Sequence, residues 1–334
     1  MTTLSSQQPG IPLASAAKKA GLSSWFRGHE RMAVVIVLLL LLLVTGSLVS
    51  ERFRQLGNLQ NVYEQSVGLA LVSAGQTLVV LTGGIDLSVG SMISLLSVLT
   101  SGLIDGNPER VVWVVAVVLC LGLVLGALNG VLTLWLGINP LIVTLGTGAA
   151  LQGLTLLYSS DSAGSVPPEF EYMAYGRLLG FPVGATATLL VFAGLAWLLH
   201  ASRPGRYVYA VGGDAHAATL MGLPTRRVLV SVYAFSGLCA AATAIYVVSR
   251  FGVGQPYTGA NYTLASITPV VIGGTMLSGG RGGLMGTLLG VYLMGLLNNV
   301  LNFMDISSHF QLVIQGLIVV LAVSTFSGRK TPAA

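Results

Sequence analysis

Charge is what this sequence has least of. Asp, Glu, Lys and Arg make up 8% of the 334 residues, against about 25% in an ordinary soluble domain. A surface that poor in charge would not keep a globular protein dispersed in water, which excludes a soluble enzyme. An apolar content of 54% excludes disorder over most of the length, because disordered chains pair low hydrophobicity with high charge. Lysine is almost missing, being confined to Lys18, Lys19 and Lys330. A nucleotide-binding loop needs Gly-x-x-x-x-Gly-Lys-Ser/Thr with its Lys on the phosphates. No lysine here sits in that setting, so ATP cannot be hydrolysed by this route. The two cysteines, Cys120 and Cys239, lie in apolar runs. They read as small buried hydrophobes, and no metal site or disulfide framework is expected.

What the chain has instead is apolar length. The mean hydropathy is +0.82, and apolar runs recur at Met32–Val49, Val62–Thr82, Val89–Ile104, Val111–Leu136, Leu141–Tyr158, Val183–His200, Leu229–Ser249, Tyr262–Leu277, Leu284–Phe303 and Phe310–Phe326. A spanning helix takes about 20 apolar residues. The expectation is therefore an all-α polytopic membrane protein with about ten transmembrane helices, some short or interrupted. Val89–Ile104 and Tyr262–Leu277 are the shortest runs, and one of them could be re-entrant. The first run is too long for a signal-peptide core of about 7–15 residues and reads as a retained span. Residues 1–30 read as a flexible cytoplasmic tail in which Trp25 and Phe26 could anchor at the bilayer surface. Residues 31–327 form the membrane domain and 328–334 a short second tail.

Charge distribution supplies an orientation. With both termini cytoplasmic, the inner segments carry Arg203, Arg206, Arg226, Arg227, Arg281, Arg329 and Lys330. The outer segments carry Glu51, Asp105, Glu109, Asp161, Glu169, Glu171 and Asp305. That is the positive-inside pattern. The net charge of +5 records this bias and does not point to nucleic acid.

Glycine is abundant, 43 residues, as close helix packing and interrupted helices both require. Gly122, Gly126 and Gly130 are spaced for packing, as are Gly282, Gly286 and Gly290. Three breaks stand out. In the first, Gly83 and Gly84 end a helix, and Asp86, followed by Ser88, is placed to cap the next one. An ionisable group inside a membrane also invites a reading in the transport path or in proton coupling. In the second, Asn139-Pro140 makes a helix start. In the third, Pro269 is expected to interrupt its helix ahead of Gly273, Gly274 and the Gly-rich run around Arg281. The polar groups Asn129, Gln152, Asn298, Asn299, Gln311 and Gln315 lie in or beside spans, as helix glue or as the lining of a path for a neutral, hydroxyl-rich substrate. Loop 201–228 holds a short Ala-rich helix, Ala215 to Met221, capped by Asp214 and ended by Gly222 and Pro224. Flanked by basic turns, it has the size to sit in a groove of a partner protein.

This loop resembles the coupling-helix region of ABC-importer permeases, matching at Ala217, Ala218 and Gly222, with His216 where an acidic residue is often found. Gly83-Gly84-Ile85-Asp86-Leu87-Ser88-Val89-Gly90 resembles the signature of the ribose/xylose/arabinose/galactose branch, which is related to branched-chain amino-acid permeases. So do Asn139-Pro140-Leu141-Ile142-Val143-Thr144-Leu145-Gly146, Gly205 to Ala210, Val271 to Thr275 and Gly279 to Gly282. Gln152 stands where relatives commonly carry Arg.

The resemblance implies a bacterial cytoplasmic-membrane permease that takes a pentose or hexose from a substrate-binding protein. Its other partners would be membrane lipid, a second permease copy (identical or related) and an ABC ATPase. ATP and magnesium would be bound by that ATPase, with no cofactor and no catalytic residue on this chain. Asp214, His216, Ala217, Ala218 and Gly222 would serve ATPase coupling. Gly83, Gly84, Asp86, Ser88, Asn139, Pro140, Thr144, Gly273, Gly274, Asn298 and Asn299 would form the helix breaks and the path. Other solutes of the family (a furanone signal, a nucleoside, a branched-chain amino acid) remain open, as does an ion-coupled transporter using Asp86. The scarcity of carboxylates in the spans weighs against ion coupling, and the coupling-type loop weighs against a passive channel.

Overall fold

The computed structural model describes residues 23–327. Lys18, Lys19, Arg329 and Lys330 therefore lie outside the described residues. Fourteen helices follow one another among these residues. They are α1 (Ser23–Val49), α2 (Leu56–Leu81), α3 (Val89–Ile104), α4 (Val111–Leu136), α5 (Pro140–Tyr158), α6 (Tyr172–Tyr175), α7 (Val183–Ala201), α8 (Arg203–Gly213), α9 (Ala215–Leu220), α10 (Thr225–Phe251), α11 (Tyr262–Ala265), α12 (Ile267–Ile272), α13 (Leu284–Phe303) and α14 (Ser308–Ser327). Helix α1 begins at Ser23, inside the segment expected to be a flexible tail. One element is not helical: β1 (Arg177–Leu178) and β2 (Phe181–Pro182) pair as a small antiparallel hairpin.

Seven helices, α1, α2, α4, α5, α7, α10 and α13, are long and apolar enough to cross a bilayer. The other three expected spans are not among these seven. Helix α3 has 16 residues, a rise of roughly 24 Å, against a hydrocarbon core of about 30 Å. The run Tyr262–Leu277 is divided into α11 and α12 and stops before Gly273. In α14 the described apolar stretch is His309–Ile318. The interruption expected at Pro269 falls at Ser266, between α11 and α12. Pro269 has no N–H to give to Ala265 O, and it lies in the first turn of α12, where that loss costs little.

The core is built around α2, α10 and α13, whose apolar stretches are mostly buried, whereas those of α1, α4, α5 and α7 are mostly exposed. Helix α10 packs on α4, α2 and α3, and α13 packs on α2, α1 and α12. Two glycine seams bring helix backbones together. A Cβ on Gly126 would lie 2.2 Å from Tyr233 O, and one on Gly122 would lie 2.5 Å from Gly237 O. A Cβ on Gly286 would lie 1.9 Å from Gly273 O, and one on Gly290 would lie 2.4 Å from Pro269 O. These helices could not approach so closely with any larger residue, which is the packing that the spacing implied.

Helix α3 is buried on nearly every side, and its hydroxyls serve the chain around it. Ser101 Oγ donates to Ala163 O at 2.5 Å and accepts from Gly254 N at 2.9 Å, and Ser94 Oγ accepts from Gly259 N at 3.0 Å. A short helix held this way pins the 252–261 segment to the bundle.

Candidate functional site

The first break is a satisfied polar knot. Helix α2 ends at Leu81, and Gly83 takes a left-handed conformation at φ 80°. The chain then turns Asp86 inward until it is fully buried. Asp86 Oδ1 accepts from Ser88 N at 3.0 Å and Ser88 Oγ at 2.6 Å, while Oδ2 accepts from Ser236 Oγ at 3.0 Å. Asn129 Nδ2 donates to Ser88 Oγ at 2.7 Å, bringing α4 into the knot. Gln76, with its amide oriented to satisfy both ends, pairs with the backbone N–H and C=O of Asp86 at 3.3 and 3.2 Å. Thr144 of α5 accepts from Leu87 N at 3.1 Å and contacts Ile85 O at 3.2 Å. Asp86 therefore does not cap α3, as expected from its position. Ser88 holds the cap position without a side-chain bond, and Asp86 instead joins α2, α4 and α10 through that turn.

The helix before the second break ends at Gly137, and Asn139 caps α5 through Leu141 N at 2.9 Å with Pro140 in the first turn. Asn139 is exposed, so its role here is to start the helix that carries Thr144 to the knot.

Three glycine segments meet beside that knot. Gly280 N donates to Leu81 O at 2.9 Å. A Cβ on Gly212 would lie 1.7 Å from Leu81 O, and one on Gly279 would lie 2.7 Å from Gly212 O and 2.8 Å from Gly83 N. The end of α2, the end of α8 and the turn at 279–283 thus touch backbone to backbone. Tyr209 Oη of α8 adds a bond to Gly282 O at 3.0 Å. Partial burial raises the Tyr209 phenol above its usual pKa, which keeps it protonated and donating. Gly273 and Gly274 lie just before this turn, with Gly274 at φ 89°.

Helix α9 follows directly from the junction. Asp214 Oδ1 accepts from His216 N and Ala217 N, both at 2.9 Å, and so starts the helix. Gly222, at φ 78°, ends it, with Leu223 N returning to Ala218 O at 3.1 Å. Of the five residues assigned to coupling, Ala218 points inward and is 0% exposed, and Ala217 is half-buried, whereas Asp214, His216 and Gly222 are exposed. The most exposed apolar side chains of this segment are Leu220 at 76% and Met221 at 70%. Their role was not legible from the Ala-Ala and Gly positions alone. Helix α8 was also missed. It is capped by Ser202 Oγ on Gly205 N at 3.1 Å, and a Cβ on Gly205 would lie 2.2 Å from Leu199 O.

Asn298 and Asn299 stand apart, fourteen and fifteen residues into α13 and roughly 21 Å of helix rise from the junction. Asn299 and Asn58 exchange amide bonds at 3.0 Å in both directions, and Asn298 Oδ1 accepts from Gln315 Nε2 at 2.9 Å. Gln152 Nε2 donates to Pro256 O at 2.9 Å, a tether between α5 and the 252–261 segment.

The family model described as the permease component of branched-chain amino acid transport systems matches residues 58–323. The chain belongs to this permease family. The ribose import permease RbsC of Escherichia coli strain K12 is 36% identical over 282 residues, covering 83% of this chain and 88% of the relative. RbsC of Bacillus subtilis strain 168 is 38% identical over 288 residues, covering 83% and 87%. The D-allose transport system permease AlsC of E. coli strain K12 is 31% identical over 282 residues, covering 84% and 86%. No solved structure matches the chain. As an ABC-importer permease it is a non-catalytic transport subunit and a multi-pass membrane protein.

Proposed function

We propose that this permease passes a neutral monosaccharide, pentose or hexose, delivered by a substrate-binding protein, and that a separate ATPase drives it through α9. The observation that carries the reading is the glycine junction. Backbones that touch without intervening side chains cannot slide independently, because packed interiors deform little before they switch arrangement. A push on α9 therefore reaches the end of α2 and the 279–283 turn together, and through them the Asp86 knot and α13. Leu220 and Met221 supply the apolar contact for a groove on the ATPase, with His216 beside them. The sugar assignment draws on the printed names of the relatives and on the uncharged polar groups of α13 and α14.

Orientation follows from charge. Arg203, Arg206, Arg226, Arg227 and Arg281 gather at the end of the bundle that carries α8 and α9. Asp105, Glu109, Asp161, Glu169 and Glu171 lie at the other, where Gly106 N bonds Ser165 O and Ser249 Oγ bonds Phe170 O. We assign the basic end, and both termini, to the cytoplasm. The family's two-permease pore, from identical or related copies, belongs to the same reading. The test is co-reconstitution with the neighbouring ATPase and binding protein, assaying ATP-dependent uptake of D-ribose, D-allose, D-xylose, L-arabinose, D-galactose and L-leucine. Uptake of a sugar supports the reading, and uptake of leucine alone overturns it.

A further inference from the structure

A cavity of about 280 Å³ lies between α2, α11, α13 and α14, in the half of the bundle away from α9. Gln65 on its wall stands sixteen residues before Leu81, roughly 24 Å along the helix. Five amides line it, Gln65, Asn261, Asn298, Gln311 and Gln315, and no Asp, Glu, Lys or Arg does. We propose that this cavity binds a single neutral, hydroxyl-rich solute during its passage. This rests on the importer reading above and adds to it the place and chemistry of binding.

The amides are only partly used by the protein. Gln315 Nε2 donates to Asn298 Oδ1 at 2.9 Å, which leaves Asn298 Nδ2 and Gln315 Oε1 without a partner among the described residues. A donor and an acceptor left over on this pair suit hydroxyls, which both accept and donate. Asn261 likewise has no partner there, and Gln65 spends only Nε2, on Asn61 Oδ1 at 3.0 Å. Gln311 is fixed by Asn302 Oδ1 at 2.7 Å and Ile306 O at 2.9 Å, so the α13–α14 turn holds this wall rigid. Leu69, Ala265, Met294 and Leu312, with the ring of Tyr262, complete the lining. A monosaccharide has a ring of C–H groups and a rim of hydroxyls, and each wall of the cavity offers both apolar and amide side chains to match. Its volume sits near the lower end for small-molecule sites. No lining side chain offers an amino-acid zwitterion or a phosphate a counter-charge, Arg250 acting on Tyr262 only from outside the lining, and burying unpaired charge is costly.

The experiment uses the full chain with its ATPase and binding protein in proteoliposomes, with D-ribose and D-allose as probes and L-leucine as the zwitterionic control. Asn298→Leu/Gln315→Leu should lower uptake of the transported sugar about tenfold, equivalent to about 1.4 kcal/mol. ATPase stimulation by the binding protein should stay at the wild-type level. Uptake within about twofold of wild type overturns the cavity assignment and leaves the importer reading standing. A wild-type assembly that carries leucine and no sugar overturns both. Should the leucine variant be depleted from the membrane, Gln315→Cys in a Cys120→Ala/Cys239→Ala chain gives the second measurement. Either sugar should slow labelling at position 315 by a neutral thiol reagent, and leucine should not. Equal rates with and without sugar overturn the assignment.

Discussion

Asp86 shows how a buried carboxyl group in a membrane protein can hold elements together. Its two oxygens take three bonds from Ser88 and Ser236, and leaving a buried donor unpaired costs about 1–3 kcal/mol. Asp86→Ala should strand those donors and remove several kcal/mol, lowering the thermal midpoint of the detergent-purified protein or its yield from the membrane. Asp86→Asn should stay close to wild type in the same measurement, because the Asn carbonyl keeps the Ser88 bonds and its amide can donate to Ser236 Oγ. A folded Asp86→Asn protein whose uptake is lost would return Asp86 to the proton-coupling role. The motif around Asp86 marked the residue as important. Its partners, however, come from α2, α4 and α10, and Gln76 and Ser236 had no local signature.

Among the elements, α9 is the informative one. Its cap, its end and its length were legible to within one residue, because Asp214 and Gly222 act on their immediate neighbours. Which face it turns outward was not legible, since six residues of Ala, His, Thr and Leu have no clear apolar stripe. Leu220→Ser/Met221→Ser should abolish pull-down of the ATPase while leaving the thermal midpoint unchanged. Ala218→Glu should instead lower that midpoint, because Ala218 is fully buried. Helix α8 escaped because Arg-Pro-Gly-Arg at 203–206 reads as a turn, yet Pro is tolerated in the first helical turn. Gly212→Ala places a Cβ 1.7 Å from Leu81 O and should uncouple the junction. Basal ATPase activity of the complex should persist, with uptake reduced about tenfold or more. Uptake unchanged in that variant would remove the junction from the transmission path.

At the scale of the molecule, the separation of charge sets a topology that labelling can check. Single cysteines at His216 and Arg281, in a Cys120→Ala/Cys239→Ala background, should react with an impermeant thiol reagent only in inside-out vesicles. Cysteines at Asn107 and Tyr257 should react only in right-side-out vesicles. Reaction of both pairs from one side would refute the assignment. The short helices α3, α11 and α12 explain how such a chain can hold broken segments at membrane depth. Helices α3 and α12 are covered by protein, and backbone groups of the irregular segments beside them find partners in Ser94, Ser97, Ser101 and Thr275 instead of lipid.

By itself the sequence determined that this chain lives in a membrane, where most of its long apolar helices lie, and which family it joins. Apolar length, capping residues and glycine breaks act over a few residues and leave their mark locally. Only the tertiary structure decided which apolar runs form long helices and which form short buried ones. It also decided that Asp86 is a knot and not a cap, and that Gly83, Gly212 and Gly280 form one contact. Those outcomes depend on which backbones come within van der Waals reach of one another. That reach is set by packing across residues up to two hundred positions apart, where no local pattern carries the information.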